Sequence, residues 1–436
     1  MKNPFPLLFL LLSILTLQSH PQVQVKIGQS SETVYPLTPN QTNDLEELVP
    51  LEALLKDRKV VGMGEATHGT KEFFNMKAKM LKFLATRCGY RIFSIEATYG
   101  GTLKVNDYVL YGKGNVLSAM KGMEFWTWDT EEVKDLIEWM RTYNDGKPDQ
   151  EKLKFYGFDC QSYKGPANAL ADYVREFDKQ NLDEFLKGLS VLTDSSDLYF
   201  YTPKPGNTSF QGNDQVHRII SFLQKWFREK ENLYISVSGK IKFELARYNI
   251  VALKQALLLR ESPERKYGFI RDSCMAQNIR WIYELEQAKV FAWAHNGHIS
   301  KAPNLFEKHE VCMGMFLDTL FGNGYYNIGF VFNKGSFQAL SKVAGKLQEF
   351  SLPEYKKNTF ANELSLAGIN TFFIDLTTIN NKLFRTSGRA FYIGGVFIQE
   401  YWEKYSKPMI AKKQFDGLIF INTTTCAIPI NRKSAK

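Results

Sequence analysis

The sequence predicts an α/β fold: a mainly parallel central sheet with flanking helices and an inserted helical subdomain covering the active-site cleft. Three observations carry this. Short β-branched or aromatic runs, bounded by turn residues, recur at both ends of the chain and read as buried strands. The first two of these runs are joined by a helical pattern, as in a strand–helix–strand unit. Strand signals then thin out across 104–150 and 163–286, where long helical patterns take over, and resume at 289.

The strand runs are KVVGM (59–63), RIFSIE (91–96), KFYGFD (154–159), KVFAWAH (289–295), YNIGFVF (326–332), NTFFIDL (370–376) and GLIFIN (417–422). Between the first two lies TKEFFNMKAKMLKFLATRCGY, in which Phe73, Phe74, Lys77, Met80, Leu81 and Leu84 recur on roughly one face. Glu72 stands in its first turn and Gly89 just beyond its end, a start and a stop suited to a helix. This unit places the strands at 59–63 and 91–96 side by side. Helical patterns follow at 128–143, 166–190, 214–238 and 241–285, and the turn-rich stretch 195–213 reads as a loop. The chain after residue 22 is then a single domain, with an α/β core of about 45–165 and 286–430 and a helical insertion of about 166–285.

Residues 1–22 have a different character. Lys2 precedes an almost wholly apolar run from Pro6 to Leu17, and the polar stretch QSHPQ follows. This is the layout of a secretory signal peptide, and the run is too short to span a bilayer. The chain is therefore expected to be exported, periplasmic or secreted, with no stable membrane span once the leader is removed. No other apolar run reaches transmembrane length.

Of the 436 residues, 44% are hydrophobic and 14% aromatic, enough for a large core. The formal net charge is +9, but Lys and Arg are spread along the chain. Nucleic-acid binding would need a basic stripe with stacking aromatics, and none is readable, so no nucleic-acid partner is expected. The five cysteines, Cys88, Cys160, Cys274, Cys312 and Cys426, are widely spaced with no C-x-x-C pair. They indicate neither a zinc ribbon nor a redox motif and read mostly as small buried hydrophobes.

Chemistry is expected where apolar strands run into polar residues, because parallel α/β sheets bind ligands at the carboxyl ends of their strands. The segment GMGEATHGT (62–70) places Glu65 and His68 three apart in a strand-to-helix turn, with Gly62, Gly64 and Gly69 allowing the chain to turn sharply. Glu96 ends an otherwise apolar strand, where a carboxylate must be solvated, paired or used. In WAHNGHIS (293–300), His295 and His298 are again three apart at a strand end. Three of the six histidines thus fall at strand ends.

Taken alone, each of these has a structural reading: a satisfied capping residue, an ion-pair partner, a core histidine. Together they match a water-activating site, since imidazole accepts protons near neutrality and a neighbouring carboxylate orients it. No G-x-S-x-G elbow supplies a serine nucleophile, and no cysteine sits in a matching turn. Two other readings stay open at this level. The same Glu and His residues could ligate a divalent metal such as zinc or manganese, although no H-E-x-x-H is present. Glu65 and Glu96 could also be the acid and base of a glycosidase. Tyr99, Trp126 and Trp128 could line a large apolar cleft or belong to the core.

The order of GEATHGTKEFF, the strand ending in Glu96, FYGFDCQS (155–162), RDSCMAQNI (271–279), AHNGHI (294–299) and MG (313–314) resembles the erythromycin esterase family over about residues 45–425. The resemblance implies a metal-independent hydrolysis of an ester or lactone, with no cofactor. It implies that His68 is the general base, that Glu65, Glu96 and His295 orient or polarise, and that His298 is a further site residue. The best-known members open a macrolide lactone, an antibiotic response. The family usually carries arginine nine residues after the base histidine. Here that position is Lys77, which keeps the charge and loses the planar bidentate fork. The substrate, the oligomeric state and a non-catalytic ligand-binding role are left open by these residues.

Overall fold

The computed structural model describes residues 22–194, 211–303, 311–354 and 359–430. Residues 1–21 of the proposed 1–22 leader and most of the 195–213 loop lie outside them. The strands are β1 (Val23–Ile27), β2 (Ser30–Pro36), β3 (Val60–Met63), β4 (Ile92–Thr98), β5 (Lys154–Asp159), β6 (Val290–Trp293), β7 (Tyr325–Ser341), β8 (Leu347–Leu352), β9 (Thr371–Asp375), β10 (Gly388–Phe391), β11 (Val396–Phe397), β12 (Ser406–Met409) and β13 (Gly417–Thr424). All seven runs read as strands are strands of one sheet.

The order across that sheet is β1-β2-β9-β13-β7-β3-β6-β4-β5. From β13 to β5 every neighbouring pair is parallel. Strands β9, β2 and β1 continue the sheet antiparallel. The central strands are buried along their whole length, as expected of a parallel sheet covered on both faces.

Two expectations are corrected. Strands β3 and β4 are parallel and joined by a helix, but they are not neighbours: β6 lies between them, with Met63 and Ile95 both in register with Trp293. The local unit fixes handedness and direction, and it leaves a gap that a strand some 200 residues later can fill. The core also begins earlier than residue 45. The hairpin β1–β2 extends the sheet through Tyr35 and Pro36 against β9. Its alternating polar residues gave no buried-run signal.

The longer helices are α1 (Lys71–Arg87), α2 (Leu103–Tyr111), α3 (Glu131–Asn144), α4 (Lys164–Phe177), α5 (Leu182–Asp194), α6 (Gln211–Glu229), α7 (Glu231–Ser238), α8 (Lys240–Glu261), α9 (Glu264–Glu286) and α10 (Met313–Phe321), with shorter helices and turns between. Helix α1 is buried along most of its length, including Lys77 and Lys79. The helices from α4 to α8 have an apolar core of their own, with Leu170, Val174, Phe185, Leu223, Phe227 and Leu253 in one cluster. Among the described helices none is long and apolar enough to cross a membrane.

Where β3 ends, its neighbour β7 runs on, and a side chain takes over the missing pairing. The Asn296 amide donates to the Phe330 carbonyl at 2.7 Å and accepts from the Phe330 N–H at 3.0 Å. The Asn296 N–H in turn donates to the Glu65 carbonyl at 2.8 Å. This one residue ties the end of β6 to the β3 turn and to β7. We therefore expect Asn296→Ala to leave two buried backbone groups unpaired and to lower unfolding free energy by about 2–4 kcal/mol. A urea unfolding midpoint indistinguishable from that of the unmodified chain would show that the amide is replaceable.

Candidate active site

The parallel strands deliver their polar residues to one edge. Glu65 and His68 follow β3, Glu96 lies near the end of β4, Asp159 closes β5, and His295 and His298 follow β6. The β3 turn owes its shape to close approach. Gly64 and Gly69 do not have positive φ. A Cβ on Gly64 would meet Asn296 Oδ1 at 2.1 Å, and one on Gly69 would meet the Gln338 carbonyl at 2.1 Å. Glycine is required there so that β6 and β7 can pack against the turn, not for a left-handed backbone.

Glu65 is fully buried, and both of its carboxylate oxygens are engaged. Oε1 is 2.6 Å from His68 Nδ1. Oε2 accepts from Lys77 Nζ at 2.5 Å and from Trp293 Nε1 at 2.8 Å. Lys77 reaches it from the buried face of α1. Burial lowers the lysine pKa to about 8, against the attraction of Glu65. With Nδ1 donating to Glu65, the lone pair of His68 is on Nε2. The ring lines a cavity of about 410 Å³.

A second network surrounds Glu96. Arg271, from α9, donates from Nη2 to Glu96 Oε1 at 2.6 Å and to Asp159 Oδ2 at 2.8 Å, and from Nε to Asp159 Oδ1 at 3.0 Å. His298 Nδ1 lies 2.8 Å from Asp272 Oδ1, and its Nε2 lies 3.2 Å from Glu96 Oε1 and 3.0 Å from Arg271 Nη1. Burial disfavours a charge on His298, but the Asp272 and Glu96 carboxylates outweigh both burial and the Arg271 repulsion, raising its pKa to about 10. Burial would likewise raise Glu96, yet His298 and Arg271 hold it well below the ordinary carboxylate range.

His295 stands between the two networks. Its ring centroid is 4.9 Å from that of His68. Its N–H donates to Glu96 Oε2 at 2.9 Å. Both ring nitrogens are occupied: Nδ1 accepts from the Gly297 N–H at 3.2 Å, so Nε2 carries the proton, facing the Ile393 carbonyl at 3.2 Å. Burial and the positive neighbours, His68 first, push its pKa well below the ordinary value. It is a neutral spacer whose ring is already spoken for.

All six residues singled out in the sequence, Glu65, His68, Lys77, Glu96, His295 and His298, therefore fall within one connected cluster. Three members were missed as site residues: Asp159, Arg271 and Asp272. Asp159 carried the same signal as Glu96, an acid closing an apolar strand. Trp126 and Trp128 line the cavity, and Trp128 also donates from Nε1 to the Glu96 carbonyl at 3.2 Å. Tyr99 belongs to the core, its hydroxyl donating to the Leu245 carbonyl at 3.0 Å. The other walls come from Tyr267–Asp272 of α9 and from Tyr392–Val396.

Among the described residues, no three His, Cys, Asp or Glu side chains form a group that could hold a metal ion. The donors here are turned to protein partners: Glu65 to His68, Lys77 and Trp293, and His295 to Gly297 and Ile393. None of the five cysteines is disulfide-bonded, and all but Cys426 are buried.

A helix-flanked, mostly parallel sheet with a histidine–carboxylate cluster at its carboxyl edge defines the class, a hydrolase-type α/β site. The chain belongs to the erythromycin esterase family, whose model matches residues 85–424. It is 25% identical over 374 residues to the erythromycin esterase type II of Escherichia coli, covering 78% of this chain and 86% of that one. It is 24% identical over 407 residues to the Bacillus subtilis protein YbfO, whose name places it among hydrolases, covering 87% of each chain. Its fold matches that of a Bacillus cereus protein solved by crystallography, with a TM-score of 0.77 at 23% identity over 91% of this chain and 96% of that one.

His298 and His295 give opposite predictions for one measurement. In ¹⁵N-edited NMR spectra, His298 should show imidazolium shifts from pH 6 to 9, and His295 should remain a neutral ring throughout. The charge on His298 stabilises the fold fully below the unfolded value near 6.5, and that stabilisation fades as pH climbs through about 10. A neutral His298 at pH 7 would overturn this assignment.

Proposed function

We propose that the protein hydrolyses an ester or lactone of a small molecule with water activated by His68. The observation that carries the reading is the Glu65–His68 hydrogen bond of 2.6 Å. It is anchored from behind by Lys77 and Trp293, it occupies Nδ1 and not Nε2, and the His68 ring lines the cavity. This is the arrangement a general base needs: one nitrogen fixed by a carboxylate, the other free to take a proton.

In this mechanism His68 Nε2 accepts a proton from water as the water oxygen attacks the substrate carbonyl. The tetrahedral oxyanion collapses, the carbon–oxygen bond to the leaving alkoxide breaks, and the proton passes from His68 to that alkoxide. Water is consumed, and an acid and an alcohol, or one hydroxy acid from a lactone, result. Arg271 is the group we assign to the developing oxyanion. When His298 is protonated it no longer accepts from Arg271 Nη1, so that nitrogen can donate to a substrate oxygen in the cavity. Preorganised donors of this kind are worth about 10²–10³ in rate. Glu96 and Asp159 hold the guanidinium in place.

The membership of the family and the relatives named as hydrolases support hydrolysis. Macrolide lactones are one substrate class to test, because a relative is named an erythromycin esterase. The glycosidase alternative is disfavoured by the full engagement of Glu65, which leaves neither of its oxygens to transfer a proton to substrate.

The first test uses residues 23–436 with aryl esters and a macrolide panel, with and without chelator. His68→Ala should lower kcat by about 10²–10⁴-fold, the usual contribution of a general base. Turnover should survive chelator. Undiminished turnover in His68→Ala removes that residue from the mechanism, and activity lost to chelator and restored by a divalent ion replaces this mechanism with a metal-dependent one.

Lys77 supplies a separate test through pH. Its pKa of about 8 means that its charge, and with it the anchor on Glu65, is lost as pH rises through that value. Activity should therefore fall on the alkaline side of about pH 8. Lys77→Arg keeps the charge, so its alkaline limb should move up by at least about one pH unit, since arginine does not deprotonate in this range. An identical limb in both proteins would show that another group governs it.

A further inference from the structure

The catalytic cavity does not close at Gly394. A second hollow, of about 430 Å³, shares Tyr392 and Gly394 with it and continues past them along Ile398, Tyr401, Lys404, Tyr405 and Lys407. Tyr392 marks the boundary. Its ring centroid lies 4.3 Å from that of His295, and its hydroxyl stands over Gly297, where a Cβ would meet it at 1.7 Å. A Cβ on Gly394 would meet nothing within 4 Å, so the passage is open beside that residue.

The backbone at the passage is held at both ends and uncommitted in the middle. The Ile393 N–H donates to the carbonyl of Ala66 at 2.9 Å, and the Gly395 carbonyl accepts from the Leu340 N–H at 3.0 Å. The N–H groups of Gly394 and Gly395 have no acceptor among the described residues, and neither has Trp126 Nε1. A Cβ on Gly395 would stand 3.9 Å from that indole nitrogen. The Gly395 and Trp126 donors are therefore within about 7 Å of each other, near enough to serve two acceptors of one small molecule.

Charge is divided between the two hollows. In the catalytic one, Glu96, Asp159 and Asp272 face Arg271 and His298, three carboxylates to two cations. A substrate anion gains nothing on that floor. The outer hollow is lined by Lys404 and Lys407 and, among the described residues, by no carboxylate. Lys404 has no carboxylate in ion-pair distance among the described residues, and its ammonium lies 4.3 Å from the centroid of the Tyr401 ring. A recess lined by one sign of charge draws in the opposite sign.

We propose that the substrate is an ester that also bears a carboxylate. The scissile carbonyl lies beside His68, the Gly394, Gly395 and Trp126 N–H groups take neutral oxygens of the substrate, and the carboxylate enters the outer hollow with Lys404 and Lys407. This rests on the reading of His68 as the base and adds the charge of the substrate to it. The carboxylate takes no part in bond making or breaking, so the reaction is the hydrolysis already described.

The test compares mono-(4-nitrophenyl) adipate and suberate with their methyl esters, with enzyme-free rates subtracted. Within each pair the reacting carbonyl and the leaving group are the same, and one charge differs. At low salt, the acid of at least one pair should have a kcat/KM at least about 10-fold above that of its methyl ester. That preference should shrink in 1 M salt, where charges are screened beyond about 3 Å. It should also be lost in a chain carrying Lys404→Gln and Lys407→Gln, with turnover of the methyl esters unchanged. Calorimetric titration with the matching 4-nitroanilides, which resist hydrolysis, reads the same preference without turnover. A tighter-bound acid anilide without His68-dependent hydrolysis would keep the anion site and remove the base. Hydrolysis that needs His68 but treats acid and methyl ester alike, in every pair and in the anilides, would keep the base and overturn this proposal. So would a preference that survives both lysine substitutions or that is unchanged by salt.

Discussion

A carboxylate with no solvent exposure at the head of the sheet is the constraint to which the rest of the site answers. Burying the Glu65 charge without partners would cost far more than the fold's net stability. Lys77 answers it with an opposite charge, and Trp293 and His68 occupy the remaining bonding positions. Each partner then has to be fixed in turn. Lys77 is held because α1 is packed on the sheet along nearly its whole length. Trp293 is held because β6 lies between β3 and β4. The order of strands and the tilt of one imidazole are therefore the same problem, solved by the same packing.

The Glu96 network is built on a different balance. Arg271 and a protonated His298 face Glu96, Asp159 and Asp272, so two cations share three carboxylates. A bidentate guanidinium suits Asp159, and a ring with two donor nitrogens suits a position between Asp272 and Glu96. His295 separates this cluster from Glu65 and His68. Being neutral, it adds no charge to either, and its backbone N–H still reaches Glu96. A charge on that ring would be opposed by its burial and by the Lys77 and His298 charges.

Much of this was legible in the sequence, and the exceptions share a cause. Apolar runs identified the strands because a parallel sheet is buried on both faces, leaving no polar alternation to blur them. Glu65, His68, Glu96, His295 and His298 stood out because several polar residues closing such runs gather at one edge of the sheet, although each alone has a structural reading. Arg271 and Asp272 gave no such signal. They sit in a helix carrying charges on several faces, and their burial is set by contact with β4, β5 and the His298 turn rather than by any local pattern. The placement of β6 between β3 and β4 was hidden for the same reason, since pairing between strands so far apart in the chain leaves no local trace. Strands β1 and β2 were missed because, at the margin of the sheet, they are half solvated and carry no buried apolar run.

The charge state of His298 decides what the cavity can do in the proposed mechanism. A neutral ring would accept from Arg271 Nη1 at 3.0 Å and occupy one of the two N–H groups on that nitrogen. The other Nη1 N–H would be the one guanidinium donor not taken by Asp159, Glu96 or His298. Protonation frees the second. The ring turns from acceptor to donor, satisfies Asp272 and Glu96, and leaves Nη1 without an acceptor in the cluster. A donor preorganised at the cavity wall gains most when negative charge develops on a substrate oxygen, so the stabilisation falls on the transition state rather than on the ground state. Asp272 contributes to this without touching a reacting atom: by keeping His298 charged it frees a second Nη1 N–H of Arg271.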